Sequence, residues 1–190
     1  MHSMSMAQSP SADSDEQLVA EARGGDDLAF ARLVGRYRDV AFAYAYISLQ
    51  HRDEAEDIVQ EAFLRAFVSL SRLQTTRCFA AWLMQIVRNL CNDAGRRRRN
   101  YPSVPLDDSW PDGGPTPEMF LIETERAREV SKAVADLPEH LRVPLLMHHV
   151  SRRTYREIAL ALGIPETTVA GRIATALLRL RRLFHRKGNV

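Results

Sequence analysis

The stretch Thr154 to Phe184, TYREIALALGIPETTVAGRIATALLRLRRLF, constrains this chain more than any other part of it. Thr154 and Glu157 stand at capping-box spacing, in which the hydroxyl accepts a backbone N–H and the carboxylate reaches back to the cap, so a helix starts here. Ile158, Ala159 and Leu162 form its inner face. Gly163 supplies a turn position that tolerates positive φ, Pro165 fits the first turn of a second helix, and Ala159 is small where that helix must cross. Val169, Ile173, Leu177, Leu180 and Phe184 continue at helical spacing. Two short helices joined in this way read as a helix-turn-helix, whose second helix enters the major groove of DNA.

Charge is partitioned along the chain in a way that the net value of +2 conceals. Arg96 to Arg99 form one basic cluster, and Arg179, Arg181, Arg182, Arg186 and Lys187 another. Acidic residues gather between Asp53 and Glu61 and between Asp107 and Glu125, so different faces are expected to meet different partners. Cys78 and Cys91 have no CxxC or Cys/His spacing around them and read as buried thiols of a reducing compartment. His148 and His149 are adjacent on a helix and point to different faces, so they cannot chelate one metal as an i, i+4 pair could. Neither metal nor cofactor is expected. The first residues, MHSMSMAQSPSADSD, lack the cationic and apolar segments of a signal peptide, and no window approaches the length of a membrane span. The expectation is a cytoplasmic protein with a disordered leader over residues 1–15 and no membrane partner.

From Glu16 to about Gly95 the periodicity is helical, broken at Gly24-Gly25 and at Gln74 to Arg77. One helix is predicted near Glu54 to Leu70, with Ile58, Val59, Ala62, Phe63, Ala66, Phe67 and Leu70 inward and Glu56, Asp57, Gln60, Glu61 and Arg65 outward. Another, near Phe79 to Arg97, buries Phe79, Trp82, Leu83, Ile86, Val87, Leu90 and Ala94. Its outer face carries Gln85, Arg88, Asn89, Asn92 and Arg96, an amide-rich and cationic surface suited to phosphate and base contacts. Between Asn100 and Met119 repeated Pro and a Gly pair rule out a continuous helix. Periodicity resumes with Leu121, Val130, Val134 and Leu137, and Pro138 restarts a helix that leads into the helix-turn-helix. The expected architecture is all-α: a helical domain over residues 16–99, a flexible linker over 100–120, and a helix-turn-helix domain over 121–187.

The segments DIVQEAFLRAF, AWLMQIVRNL, LPEHLRVPLL and YREIALALGIPETTV, in that order and spacing, closely resemble bacterial RNA polymerase sigma factors of the extracytoplasmic-function group. The resemblance covers Glu16 to about Arg99 and Glu129 to Phe184. It implies a non-enzymatic protein that binds RNA polymerase core enzyme, directs it to minus-ten and minus-thirty-five promoter elements and promotes opening of the DNA. By position, Asp57, Gln60, Glu61 and Arg65 then correspond to the surface that docks on the clamp helices of the β′ subunit, and contact with the β subunit is also implied. Ser69, Leu73 and Asn89 correspond to positions that hold a flipped minus-ten base, closed over by the Gln74 to Arg77 loop, with Arg88, Asn92, Arg96 and Arg97 continuing along the DNA. Trp82 and Phe79 read as core rather than as melting wedges.

On the second helix of the helix-turn-helix, Thr167, Thr168, Gly171, Arg172 and Thr175 are expected to face the minus-thirty-five element. Relatives commonly carry Arg or Lys and Ser where this chain has Ala170 and Gly171, so direct base readout is expected to be sparse. The resemblance also implies a possible anti-sigma factor. The competing reading is a helix-turn-helix regulator that does not bind core polymerase; an enzyme acting on nucleic acid would need clustered carboxylates or an activated nucleophile, which the acidic segments do not form.

Overall fold

The computed structural model describes residues 14–73, 79–100 and 125–187, and every regular element among them is helical. Ser14 opens α1 (Asp15–Arg23) by accepting the Gln17 N–H at 3.1 Å, and Gly24 ends it. Gly25, at φ 98°, turns the chain into α2 (Asp27–Leu49), which Asp26 caps by accepting from the N–H groups of Leu28 and Ala29. Gln50 closes α2 in the left-handed region, and α3 (Arg52–Ser69) follows with one 3₁₀ turn, Leu70–Arg72, at its end. Past residues 74–78 the chain re-enters as α4 (Phe79–Asn100).

The other three helices close round α2. Leu18, Leu33, Tyr37, Phe79, Leu83 and Val87 are completely buried between them. Arg98 pins the far end of α4, donating to Glu54 of α3 and to the Leu49 carbonyl at 3.0 Å. Cys91 lies in this core, where burial pushes its thiol up to about 12 and leaves it protonated and unreactive. On α3 and α4 the sequence-based inner faces hold with three exceptions. Phe67 is 46% exposed, and Trp82 and Ile86 are only half-buried.

The second half comprises α5 (Glu125–Ala135), α6 (Glu139–His149), α7 (Tyr155–Leu162) and α8 (Glu166–Lys187). Thr154 and Glu157 form the expected capping box, with the Glu157 carboxylate accepting from both the N–H and the hydroxyl of Thr154 at 2.7 Å. Gly163 occupies the left-handed position at φ 65°, and the Ile164 N–H returns to the Ala159 carbonyl at 3.1 Å, so the turn closes as a Schellman motif. Pro165 stands one step earlier than expected. Its carbonyl accepts the N–H of Val169 at 3.1 Å, which makes it the cap of α8 rather than part of the first turn. Ile158, Ala161, Val169, Ile173 and Ala176 are buried where the two helices meet, with Met147 of α6 also buried; of the residues expected inward, Ala159 and Leu162 are half-buried and Leu177 is 46% exposed.

The halves do not stand apart. Helices α5 and α6 pack on α2, α7 packs on α4, and the buried residues of both halves form one continuous apolar cluster.

The capping box generates a stability prediction with a definite pH dependence. Hydrogen bonds from the Thr154 hydroxyl and then its backbone N–H hold the Glu157 carboxyl below its ordinary range. A depressed carboxyl contributes stability above its unfolded pKa of about 4.3, and that contribution disappears as pH falls through the folded value. Thr154→Ala is expected to lower the unfolding free energy by about 1 kcal/mol at neutral pH. Denaturant melts of Glu157→Gln should show a penalty at pH 7 that shrinks below about pH 4, where the wild-type carboxyl is itself protonated.

Candidate nucleic-acid interface

On α3, Asp57, Gln60 and Arg65 are exposed and Glu61 is half-exposed. Arg65 Nε donates to Glu61 Oε1 at 2.6 Å, an i, i+4 pair that fixes both side chains on the helix surface. The stripe through Asp57, Gln60 and Glu61 continues at helical spacing to Leu64, 60% exposed, and Val68, 73% exposed, with Phe67 beside them. One face of one helix therefore passes from acidic and amide groups to uncovered apolar ones, the composition of a docking surface. Leu64 and Val68 were not singled out from the sequence. The signal was present in AFLRAFVSL, where apolar residues span more of the helix circumference than one core-facing stripe requires.

Where α3 ends and α4 begins, Arg65, Ser69, Arg72, Trp82, Ile86 and Asn89 surround an open cleft of about 330 Å³. Trp82 and Ile86 are half-buried: each packs against the core on one side and forms the apolar wall of the cleft on the other. Phe79, three residues earlier on α4, is completely enclosed and stacks obliquely on Tyr37 and Trp82. Asn89 accepts from Gln85 Nε2 at 3.0 Å, which leaves its amino group as the donor for an incoming acceptor. Ser69 donates its hydroxyl to the Arg65 carbonyl. An aromatic wall, an amide and two guanidinium groups round a cleft are the chemistry that holds an unpaired base and its phosphate.

Two of the expected contributors lie elsewhere. Leu73 is buried, and its carbonyl accepts from Arg23 Nη1 at 3.5 Å, so its side chain packs into the core and does not cover the cleft. Arg88 is paired with Glu139 of α6 at 2.5 Å. Beyond the cleft, Asn92 and Arg97 are exposed and Arg96 pairs loosely with Asp93 at 3.1 Å. The expected closing loop, 74–77, falls outside the described residues.

On α8, Thr167, Gly171 and Thr175 are exposed and Thr168 and Arg172 half-exposed, one face opposite the buried Val169, Ile173 and Ala176. A Cβ added at Gly171 would meet nothing within 4 Å. The Thr175 hydroxyl donates back to the Gly171 carbonyl at 2.7 Å, which turns its methyl group outward. Arg172 is thus the single cation among the five expected contacts, which fits sparse direct readout.

Comparison with known proteins places these elements. Sigma-70 region 2 matches residues 33–101 and Sigma-70 region 4 matches residues 127–180. The ECF RNA polymerase sigma factor SigM of Mycobacterium tuberculosis is 31% identical over 170 residues, covering 90% of this chain and 84% of that protein. The chain belongs to the extracytoplasmic-function sigma factors. The ECF RNA polymerase sigma-E factor of Escherichia coli is 30% identical over 172 residues, covering 85% of this chain and 90% of that one. Among solved structures, CnrH in complex with the cytosolic domain of CnrY is similar with a TM-score of 0.56 and 27% identity, over 92% of this chain and 99% of that one. In this sigma factor the cleft and the α3 stripe lie within the region 2 match, and the helix-turn-helix within the region 4 match.

The contrast between the two adjacent aromatics separates core from site. Phe79→Ala is expected to cost about 3–5 kcal/mol in denaturant melts, as for a fully buried ring. Trp82→Ala should cost about 2 kcal/mol or less while reducing promoter opening by permanganate footprinting. Equal stability losses would return Trp82 to the core.

Proposed function

We propose that this sigma factor docks on the β′ clamp helices of RNA polymerase core through the α3 stripe and lodges an unpaired minus-ten base in the cleft beside it. The cleft walled by Trp82 and Ile86 and rimmed by Ser69 and Asn89 carries this reading. Asp57, Gln60 and Glu61 offer carboxylate and amide partners to a cationic surface, and Leu64 and Val68 add apolar area that polar steering alone lacks. Arg65 joins the two functions, since it pairs with Glu61 on the docking stripe and also lines the cleft. A base held there cannot restack, so strand separation is sustained by side chains on rigid helices. Arg96 and Arg97 follow the phosphates of the same strand and supply salt-dependent affinity more than sequence choice.

In the region 4 half, Thr167, Thr168, Arg172 and Thr175 are the side chains that meet the major groove of the minus-thirty-five element in this reading; their shared exposure on one face of α8 supports it. With one guanidinium and no side chain at Gly171, recognition there rests on thymine methyls, phosphates and groove shape. Contact between this half and the β subunit, and control by an anti-sigma partner, complete the proposal. Support for such a partner comes from the similarity to CnrH, which is bound by the cytosolic domain of CnrY.

Run-off transcription with purified bacterial core polymerase on a genomic promoter library tests the whole reading. The expected result is initiation at shared motifs only when the protein is added; duplex binding without initiation would instead favour a helix-turn-helix regulator. In co-purification with core enzyme, Asp57→Lys with Glu61→Lys should lose the complex while the thermal midpoint stays in place. Replacing Arg96 and Arg97 together by Ala should reduce the slope of log affinity against log salt by about 1.5. An unchanged slope would leave those two residues as solubilising charge.

A further inference from the structure

Most of the polar groups round the cleft are hydrogen-bond donors. Arg65 and Arg72 carry guanidinium groups, which donate and never accept. Ser69 is the exception, because its proton goes to the Arg65 carbonyl and its oxygen is left to accept. Asn89 is an amide and can do either, so what it presents depends on how it is turned. Trp82, Ile86 and Asn89 lie on one face of α4 at i, i+4 and i+7 spacing and line the cleft. Gln85 stands one turn before Asn89, half-buried and outside the lining of the cleft. Its Nε2 donates to Asn89 Oδ1 at 3.0 Å. The two arms of an amide diverge, so an oxygen drawn back toward Gln85 leaves the amino group as the arm free for the cleft.

That orientation bears on which base fits. Adenine is the one base without a carbonyl oxygen. The pairing by which asparagine holds adenine takes both arms of the amide, the oxygen accepting from N6 and the amino group donating to N7. With Oδ1 engaged and turned away, half of that pairing is lost and the N6 amino group is set among donors. Guanine O6, thymine O4 and a pyrimidine O2 need only a donor, which Asn89 and the guanidinium groups supply. The difference is about one hydrogen bond, or about tenfold in occupancy.

We propose that Gln85 determines base choice at the cleft without touching the base: by holding Asn89 with its amino group forward, it makes the cleft a site for a carbonyl-bearing base and disfavours adenine. Gln85 is thus a positioning residue that acts through Asn89. The proposal rests on the reading of this cleft as the seat of the unpaired minus-ten base.

The test uses holoenzyme assembled from purified core and the full chain. Its affinity is measured for fork-junction DNA from a promoter recovered by run-off transcription, with each of the four bases placed in turn at every unpaired minus-ten position. The position read by the cleft is the one whose preference Asn89→Ala removes. There the wild type is expected to bind adenine about tenfold more weakly than the preferred base. In Gln85→Glu the new carboxylate only accepts, so it draws the Asn89 amino group to itself and turns Oδ1 forward; adenine should then equal or exceed the carbonyl bases. The added charge weakens every DNA alike, so the ratio between bases is the readout, and a merely structural role would not invert it. Gln85→Met keeps the length of the side chain but frees the amide, and should flatten the preference to within about threefold. In an Asn89→Ala background, Gln85→Glu should leave the ratios unchanged.

A wild-type preference that persists in both Gln85 variants overturns the role of Gln85 and leaves the cleft reading intact. Adenine preferred by the wild type at that position overturns it equally. If Gln85→Glu loses helix by circular dichroism, Gln85→Met alone decides: a flattened preference supports the proposal and an unchanged one rejects it. If Asn89→Ala alters the preference at no minus-ten position, the cleft reading falls and the proposal with it.

Discussion

Two tyrosine rings buried on one face of α2 organise this molecule. Tyr37 and Tyr44 are two turns apart on one face and almost wholly enclosed. Burial raises both phenols above their ordinary range and keeps them protonated. Tyr37 donates to Asp15 of α1, packs its ring against Phe79 of α4 and carries Arg153 on the ring face. Tyr44 carries Arg142 in the same way. The same two residues thus knit α1 and α4 to α2 and receive the second half of the chain. A cation over an aromatic face needs no proton transfer and tolerates small shifts, so these contacts add attraction without demanding one exact geometry.

Arginine serves three separate ends, which explains how a chain of net charge +2 presents basic surfaces. Arg98 is structural, closing the end of α4 on Glu54 and Leu49. Arg142 and Arg153 join the halves. Arg65 and Arg72 rim the cleft, and Arg97 stands exposed beyond it. The run Arg96 to Arg99 looks uniform in sequence, yet Arg98 is tied back to Glu54 and the Leu49 carbonyl while Arg96 and Arg97 stand exposed, so counting the run overstates the charge that DNA can meet.

Much of the fold was legible because its signals are local. The capping box at Thr154, the left-handed Gly163 and the break at Gly24-Gly25 each act within five residues, and each is found at the expected place. Periodicity also assigned most of the inward faces of α3 and α4. It missed that Phe67 is largely exposed and that Trp82 and Ile86, while packed on the core, also wall the cleft, because an apolar residue at helical spacing can face a core or a cleft wall with equal regularity. Leu73, expected at the cleft, packs inward, since the 3₁₀ turn and the Arg23 contacts to the Ser71 and Leu73 carbonyls draw that end of α3 toward α1. The contacts between the two halves left no trace in the pattern. Glu139, Arg142 and Arg153 meet partners far away in sequence, and each alone reads as an ordinary solvated charge.

The open surface around Gly171 has a consequence for how such a protein diversifies. A side chain introduced there meets no atom within 4 Å, and Ala in place of Gly favours the helix by about 1 kcal/mol. Most positions of a small bundle are tied to their neighbours, so a change of specificity has to be bargained against packing. At this position the two are uncoupled. Mutation can explore new side chains on this exposed side of α8, the one proposed to meet DNA, without passing through a less stable intermediate, so surface chemistry there can drift on an evolutionary timescale while the scaffold stays still.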